Sequence, residues 1–129
     1  MSQFRETSIF VDCFDGKYVD VIKTIEFVTE VRCDDASNLF KDLYNLTEIR
    51  NLDYLDTSEC LSMNGMFSGC TSLESVDLSG LDTQKVFDMT NMFVDCPFTT
   101  LDLSDLNVKS VTGIDNMFDG CSNLTSITF

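Results

Sequence analysis

The 129-residue chain has no histidine, no pair of cysteines spaced Cys-x-x-Cys, and few basic residues, 8 Lys and Arg against 22 Asp and Glu. Without histidine or that spacing the usual zinc sites lack ligands. Neither an EF-hand loop nor a glycine-rich calcium-binding nonapeptide is present. There is also no glycine-rich phosphate loop and no Gly-x-Ser-x-Gly. An enzyme would have to work with two carboxylates in a cleft, and regularly repeated surface acids are poor candidates for that role. No stretch approaches the roughly 20 consecutive apolar residues of a membrane-spanning helix. The opening MSQFRETSIFVDCF lacks the basic start and long apolar run of a secretion signal. These absences lead to the expectation of a non-catalytic protein with no cofactor and no metal. Its expected place is the cytoplasm, a host cell's cytoplasm if it is phage-encoded, or the cell surface if the chain is a fragment of a longer exported protein.

What is present points to one folded domain. Hydrophobic residues make up 43% of the chain, with 11 Phe, whereas segments that stay disordered are poor in both. The formal charge of −14 is spread along the chain. Such a surface repels nucleic-acid phosphates and anionic lipid, so neither nucleic acid nor membrane is an expected partner, and a basic surface on another protein is. Solubility is the plainer consequence of the same charge.

The stretch MFSGCTSLESVDLSGLDT, from Met66, returns as MFVDCPFTTLDLSDLNV from Met92 and as MFDGCSNLTSITF from Met117. A fixed period of about 25 residues is the signature of a repeat architecture. Phe67, Phe93 and Phe118 fall in register, with Phe40 as a looser earlier instance, and Cys70, Cys96 and Cys121 share a second position. The cysteines are therefore read as buried, reduced thiols rather than a disulfide framework, and these seven residues form the expected core.

Val76-Asp77-Leu78, Leu101-Asp102-Leu103 and Ile127-Thr128-Phe129 alternate apolar and polar, the period of a strand with one buried face. Ile49 and Leu52 hold the corresponding places one unit earlier, with a residue inserted. The turn-like LSGLDT, LSDLNV and LDYLDT follow. Val86, Met89, Met92 and Phe93 then recur at helical intervals, as do Val111, Ile114, Met117 and Phe118, Cys60, Met63, Met66 and Phe67, and Cys33, Ala36, Leu39 and Phe40. The pattern predicts an α+β solenoid of about four strand, turn and short-helix units over residues 25–129, in which each unit supplies the apolar face its neighbour needs. Residues 1–24 are expected to form a capping β-hairpin about Asp15-Gly16. The final strand has no cap, and an open edge of that kind suits a homodimer.

The phrase MF..C..L..VDLS.LDT..V..M..MF, read from Met66 to Phe93, resembles the BspA-like leucine-rich repeats, also found in mycoplasma lipoproteins. The resemblance covers roughly Ile25 to Phe129. It implies a leucine-rich-repeat-like stack and, for many members, adhesion at a cell surface.

The candidate site is a set of acidic columns. Alternation turns Asp77 and Asp102 outward, while Asp56 and Asp82, continued by Asn107, would align in the turns, with Asp53 and Asp105 in the same turns. Two readings stand side by side: rows of carboxylate that meet a basic partner, or short side chains that bond local turn amides. The functional expectation is a protein-binding module with an acidic face. In its sharper form it is a phage-type inhibitor that blocks a nucleic-acid-handling host protein by imitating phosphates, and the alternative is an adhesion module.

Overall fold

The computed structural model describes residues 20–129, so the predicted hairpin about Asp15-Gly16 lies outside the described residues. Six short strands run in chain order: β1 Thr24–Glu26, β2 Val31–Arg32, β3 Glu48–Arg50, β4 Leu55–Asp56, β5 Thr100–Asp102 and β6 Ser126–Thr128. They make three two-stranded parallel sheets, β1 with β3, β2 with β4 and β5 with β6. Ile25 lies opposite Ile49, Val31 opposite Leu55 and Leu101 opposite Ile127. Parallel partners need a long crossover between them, and here the repeat period supplies it.

That crossover is not helical, which overturns the predicted α+β solenoid. Among the described residues there is no α-helix, and the one regular helical turn is a 3-10 turn at Leu52–Tyr54. The four segments read as helical are runs of tight turns over 33–43, 60–70, 86–96 and 111–121. Each holds two residues in the left-handed region, four positions apart: Asn38 and Asp42, Gly65 and Gly69, Asn91 and Asp95, Asn116 and Gly120. Ordinary L-residues pay about 1–2 kcal/mol there, so glycine, asparagine and aspartate occupy these places and no α-helix can pass through them.

The hydrogen bonds explain why the segments look helical in sequence. Leu39 N donates to Ala36 O at 3.2 Å, Met66 N to Met63 O at 3.1 Å and Met92 N to Met89 O at 3.2 Å, which are three-residue turns. Each turn brings an apolar side chain back to the inside every third residue, and that spacing imitates the i, i+3 face of a helix. The amides in between point out of the turn. Phe40 N donates to Met66 O at 2.9 Å, Phe67 N to Met92 O at 2.9 Å and Phe93 N to Met117 O at 3.0 Å, so each lap of chain is bonded to the next.

Inside, Phe40, Phe67 and Phe93 are fully buried, and Phe118 is half-buried. Successive rings stack with centroids 5.5, 5.6 and 5.9 Å apart, and Phe98 meets Phe93 edge-on at 5.8 Å. Cys70, Cys96 and the half-buried Cys121 bind the laps a second way: their thiols donate to the carbonyls of Phe40, Phe67 and Phe93 at 3.1, 3.2 and 3.0 Å.

Two strand readings also need correction. Val76–Leu78 is not a strand, and no backbone hydrogen bond joins 74–78 to the laps on either side. The inserted residue of the previous lap is taken up beside it. Asn51 adopts φ 59°, donates its Nδ2 to Phe27 O at 3.1 Å and sends the chain into the 3-10 turn. Conversely LDYLDT, read as a turn, contains β4, and the β2–β4 pair has no counterpart among the predicted strands.

Candidate functional site

Asp77 and Asp102 are exposed, while Leu78, Leu101 and Leu103 beside them are buried and Val76 is half-buried. Both carboxylates are built into the same local motif. Oδ1 of Asp77 accepts from Ser79 N at 3.0 Å and from Ser79 Oγ at 2.7 Å, and Oδ1 of Asp102 accepts from Ser104 N at 2.9 Å and Ser104 Oγ at 2.6 Å. Asp56 does the same with Ser58 at 3.0 and 2.7 Å, and Asp82 accepts from Gln84 N at 3.2 Å. The turn-amide reading therefore describes one oxygen of each carboxylate. Among the described residues, no partner engages Oδ2 of Asp77 or Asp102.

These bonds hold negative charge in place. The Ser79 hydroxyl and amide lower the Asp77 carboxyl below the usual aspartate range, Ser104 does so for Asp102, and Ser58 for Asp56. Carboxylates tuned downward stay ionised near neutral pH, which suits fixed charge display better than proton transfer.

The columns themselves are short. Arg50 lies opposite Glu26 and Asp102 opposite Thr128, so the lap order along that flank is Glu26, Arg50, Asp77, Asp102, Thr128. Arg50 binds Glu48 through Nε at 3.0 Å and approaches Glu26 at 4.0 Å. On the next flank Arg32 lies opposite Asp56, and Asp82 and Asn107 continue the row. Buried Thr57 and Thr83 lock this corner. Thr57 Oγ1 donates to Asp82 O at 2.9 Å and accepts from Asp82 N at 2.9 Å, and Thr83 does the same with Asn107 at 2.9 and 2.8 Å. Asp53 and Asp105 are not adjacent. Gly80 comes between them in lap order and lies against Asp53, where a Cβ would collide.

Two depressions border these acids. A polar cleft of about 620 Å³ opens beside the unpaired 74–78 segment, lined by Glu26, Glu48, Arg50, Asp53, Asp77 and Ser79 among others. A shallower one of about 380 Å³ is lined by Asp82, Asp105 and Asn107 with their turn neighbours. Among the described residues no group of three or more His, Cys, Asp or Glu is placed to hold a metal ion. The described thiols are shifted in both directions, Cys60 being lowered by its hydrogen bond with Cys33. Burial pushes Cys70 up to about 12 and raises Cys96 and Cys121, and Cys33 is raised by its hydrogen bond to Cys60 and by burial.

Sequence reasoning passed over Asp88, whose Oδ1 accepts from Thr90 N at 2.9 Å and whose Oδ2 accepts from Asn64 Nδ2 at 3.2 Å. It also passed over Asp35, which caps Ser37 N at 2.9 Å. The recurring Asp-x-Ser/Thr triplet was the available signal, at Asp35, Asp56, Asp77, Asp88 and Asp102.

A family model described as "Mycoplasma protein of unknown function, DUF285" matches residues 11–128. Neither the curated proteins nor the solved structures provide a match.

Proposed function

The chain belongs to the DUF285 family of Mycoplasma proteins, and from that premise we propose that it is a protein-interaction module, of the BspA-like repeat type, whose acidic flank docks on a basic surface of another protein. The observation that carries this is the pair Asp77 and Asp102. Each is anchored through Oδ1, leaves Oδ2 turned to solvent and is held ionised by its serine. Anchored charges lose little side-chain freedom when a partner arrives, which favours binding. Columns two carboxylates deep, closed by Arg50 on one side and Thr128 on the other, support acidic docking without a phosphate-like row.

The test is affinity capture on the immobilised chain beside an Asp77→Asn, Asp102→Asn double variant, eluted with rising salt. The expected result is a basic partner held at low salt, released by about 0.5 M salt and lost from the variant, as screening of an exposed charged interface requires. Equal retention on both columns would remove the acidic flank from the account. The second reading, surface adhesion, draws on the resemblance to BspA-like repeats. A reading frame that continues into an export signal or wall anchor would favour it.

A further inference from the structure

Every junction between laps uses the same four alternate amides. Those of Ala36, Asn38, Phe40 and Asp42 donate to carbonyls of the second lap, those of Met63, Gly65, Phe67 and Gly69 to the third, and those of Met89, Asn91, Phe93 and Asp95 to the fourth, all at 2.8–3.0 Å. The turn segments are therefore polar. Each offers donors toward the C-terminal side and acceptors toward the N-terminal side.

In the last lap the equivalent amides are those of Ile114, Asn116, Phe118 and Gly120. The backbone that aims them is already in place, with φ 57° at Asn116 and 75° at Gly120. No acceptor meets them among the described residues. Around this donor row the surface is apolar: Phe118 has a ring stacked on one side, Val108, Ile114 and Phe129 are 59%, 61% and 87% exposed, and with Leu106 and Val111 they line a cleft of about 480 Å³. The edge of β6 is open on the same side. Leu103 N donates to Thr128 O, so Thr128 faces β5, and Ile127, the alternate residue, turns its amide and carbonyl outward.

We propose that this face is a docking site for a second copy of the chain, joined head to tail, with the β6 edge of one copy set beside the β1 edge of the next. The contact continues an interface that the molecule already uses three times within itself. Among the described residues β1 pairs only with β3, and Thr24-Ile25-Glu26 beside Ser126-Ile127-Thr128 places an isoleucine opposite an isoleucine, as in the β1–β3 register, with no like charges opposed. A symmetric pairing of two such faces would set amides against amides across the turn segments, so a closed twofold dimer does not satisfy the donor row. A head-to-tail contact leaves the same edges free at its ends and grows with concentration.

The net charge of −14 opposes this union and salt screens that repulsion, the reverse of the salt response expected for the basic partner, so the two proposals fail separately. The experiment is analytical ultracentrifugation of the 129-residue chain up to about 1 mM, at low salt and at about 1 M salt, where the screening length is roughly 3 Å. The expected result is a weight-average mass that rises with concentration beyond that of a dimer, and more so in high salt. Ile114→Lys on the face and Ile127→Pro at its edge should each return the protein to a monomer, although the lysine makes the chain less acidic. Leu61→Lys, at a residue 52% exposed outside this cleft, should leave association unchanged. Circular dichroism matching the parent keeps the variants interpretable. A monomer at every concentration and salt, a mass that stops at a dimer, or equal loss in Leu61→Lys and Ile114→Lys would overturn the proposal.

Discussion

At the scale of single residues, the left-handed positions decide where the chain turns, and their occupants in adjacent laps are fitted to one another. The Asn38 side chain lies over Gly65, Asp42 over Gly69 and Asp95 over Gly120, so a polar side chain in one lap faces a missing Cβ in the next. Gly69→Ala would both strain a residue at φ 82° and drive its Cβ into Asp42. We expect it to lower unfolding free energy by about 1–3 kcal/mol in urea titrations. Adding Asp42→Gly should recover part of that loss, because the collision goes and only the backbone strain stays. A double variant no more stable than Gly69→Ala would show that the side chains are not fitted. The need for two such residues per lap was not legible in the sequence: the same place holds Asp42, Gly69, Asp95 and Gly120, and only the backbone angle unites them. Phe40, Phe67, Phe93 and Phe118 were legible because one residue type recurs where one ring must stack on the next.

At the scale of elements, apolar spacing was read correctly as an inward face and wrongly as a helix. Cys60, Met63, Met66, Phe67 and Cys70 are all fully buried, yet a three-residue turn and a helix both return a side chain to the same side at that interval. Which one forms depends on whether alternate amides find carbonyls in the next lap, and a neighbour about 25 residues away is invisible to a local window. Strands were legible at Leu101 and Ile127, where alternation is clean. They were not at β2 and β4, two residues each, or at Val76, whose lap lies beside the Asn51 insertion. The corner threonines supply a test of inter-lap bonding. Thr83→Val keeps the shape but deprives both Asn107 N and Asn107 O of the partner at Oγ1. The expected loss is about 1–3 kcal/mol by chemical denaturation, and Thr83→Ser, which keeps the hydroxyl, should lose less. Equal losses would assign the effect to the methyl group.

At the scale of the whole molecule, charge sets the response to acid. Hydrogen bonds from Ser58, Ser79 and Ser104 lower Asp56, Asp77 and Asp102, and the Thr90 amide and hydroxyl, with Asn64, lower Asp88. A carboxyl whose folded pKa lies below its unfolded value of about 3.9 adds stability that is present above that value and disappears as pH falls through the folded one. Melting temperature should therefore hold steady from pH 7 to about 5 and drop below about 4. A Ser79→Ala, Ser104→Ala double variant, with these aspartates nearer their ordinary range, should show a shallower acid drop. An unchanged acid profile in that variant would mean that the serine bonds do not tune the carboxylates.

By itself the sequence determined the period, the side chains that face inward and the acids that face outward, because burial and alternation depend on residue type and local spacing. Tertiary structure alone decided that turns replace helices, that Arg50 takes the place before Asp77 in its row, and that among the described residues no acceptor meets the amides of the last lap. Each of those outcomes depends on what a distant lap places opposite a given backbone group, and residues close in sequence carry no record of it.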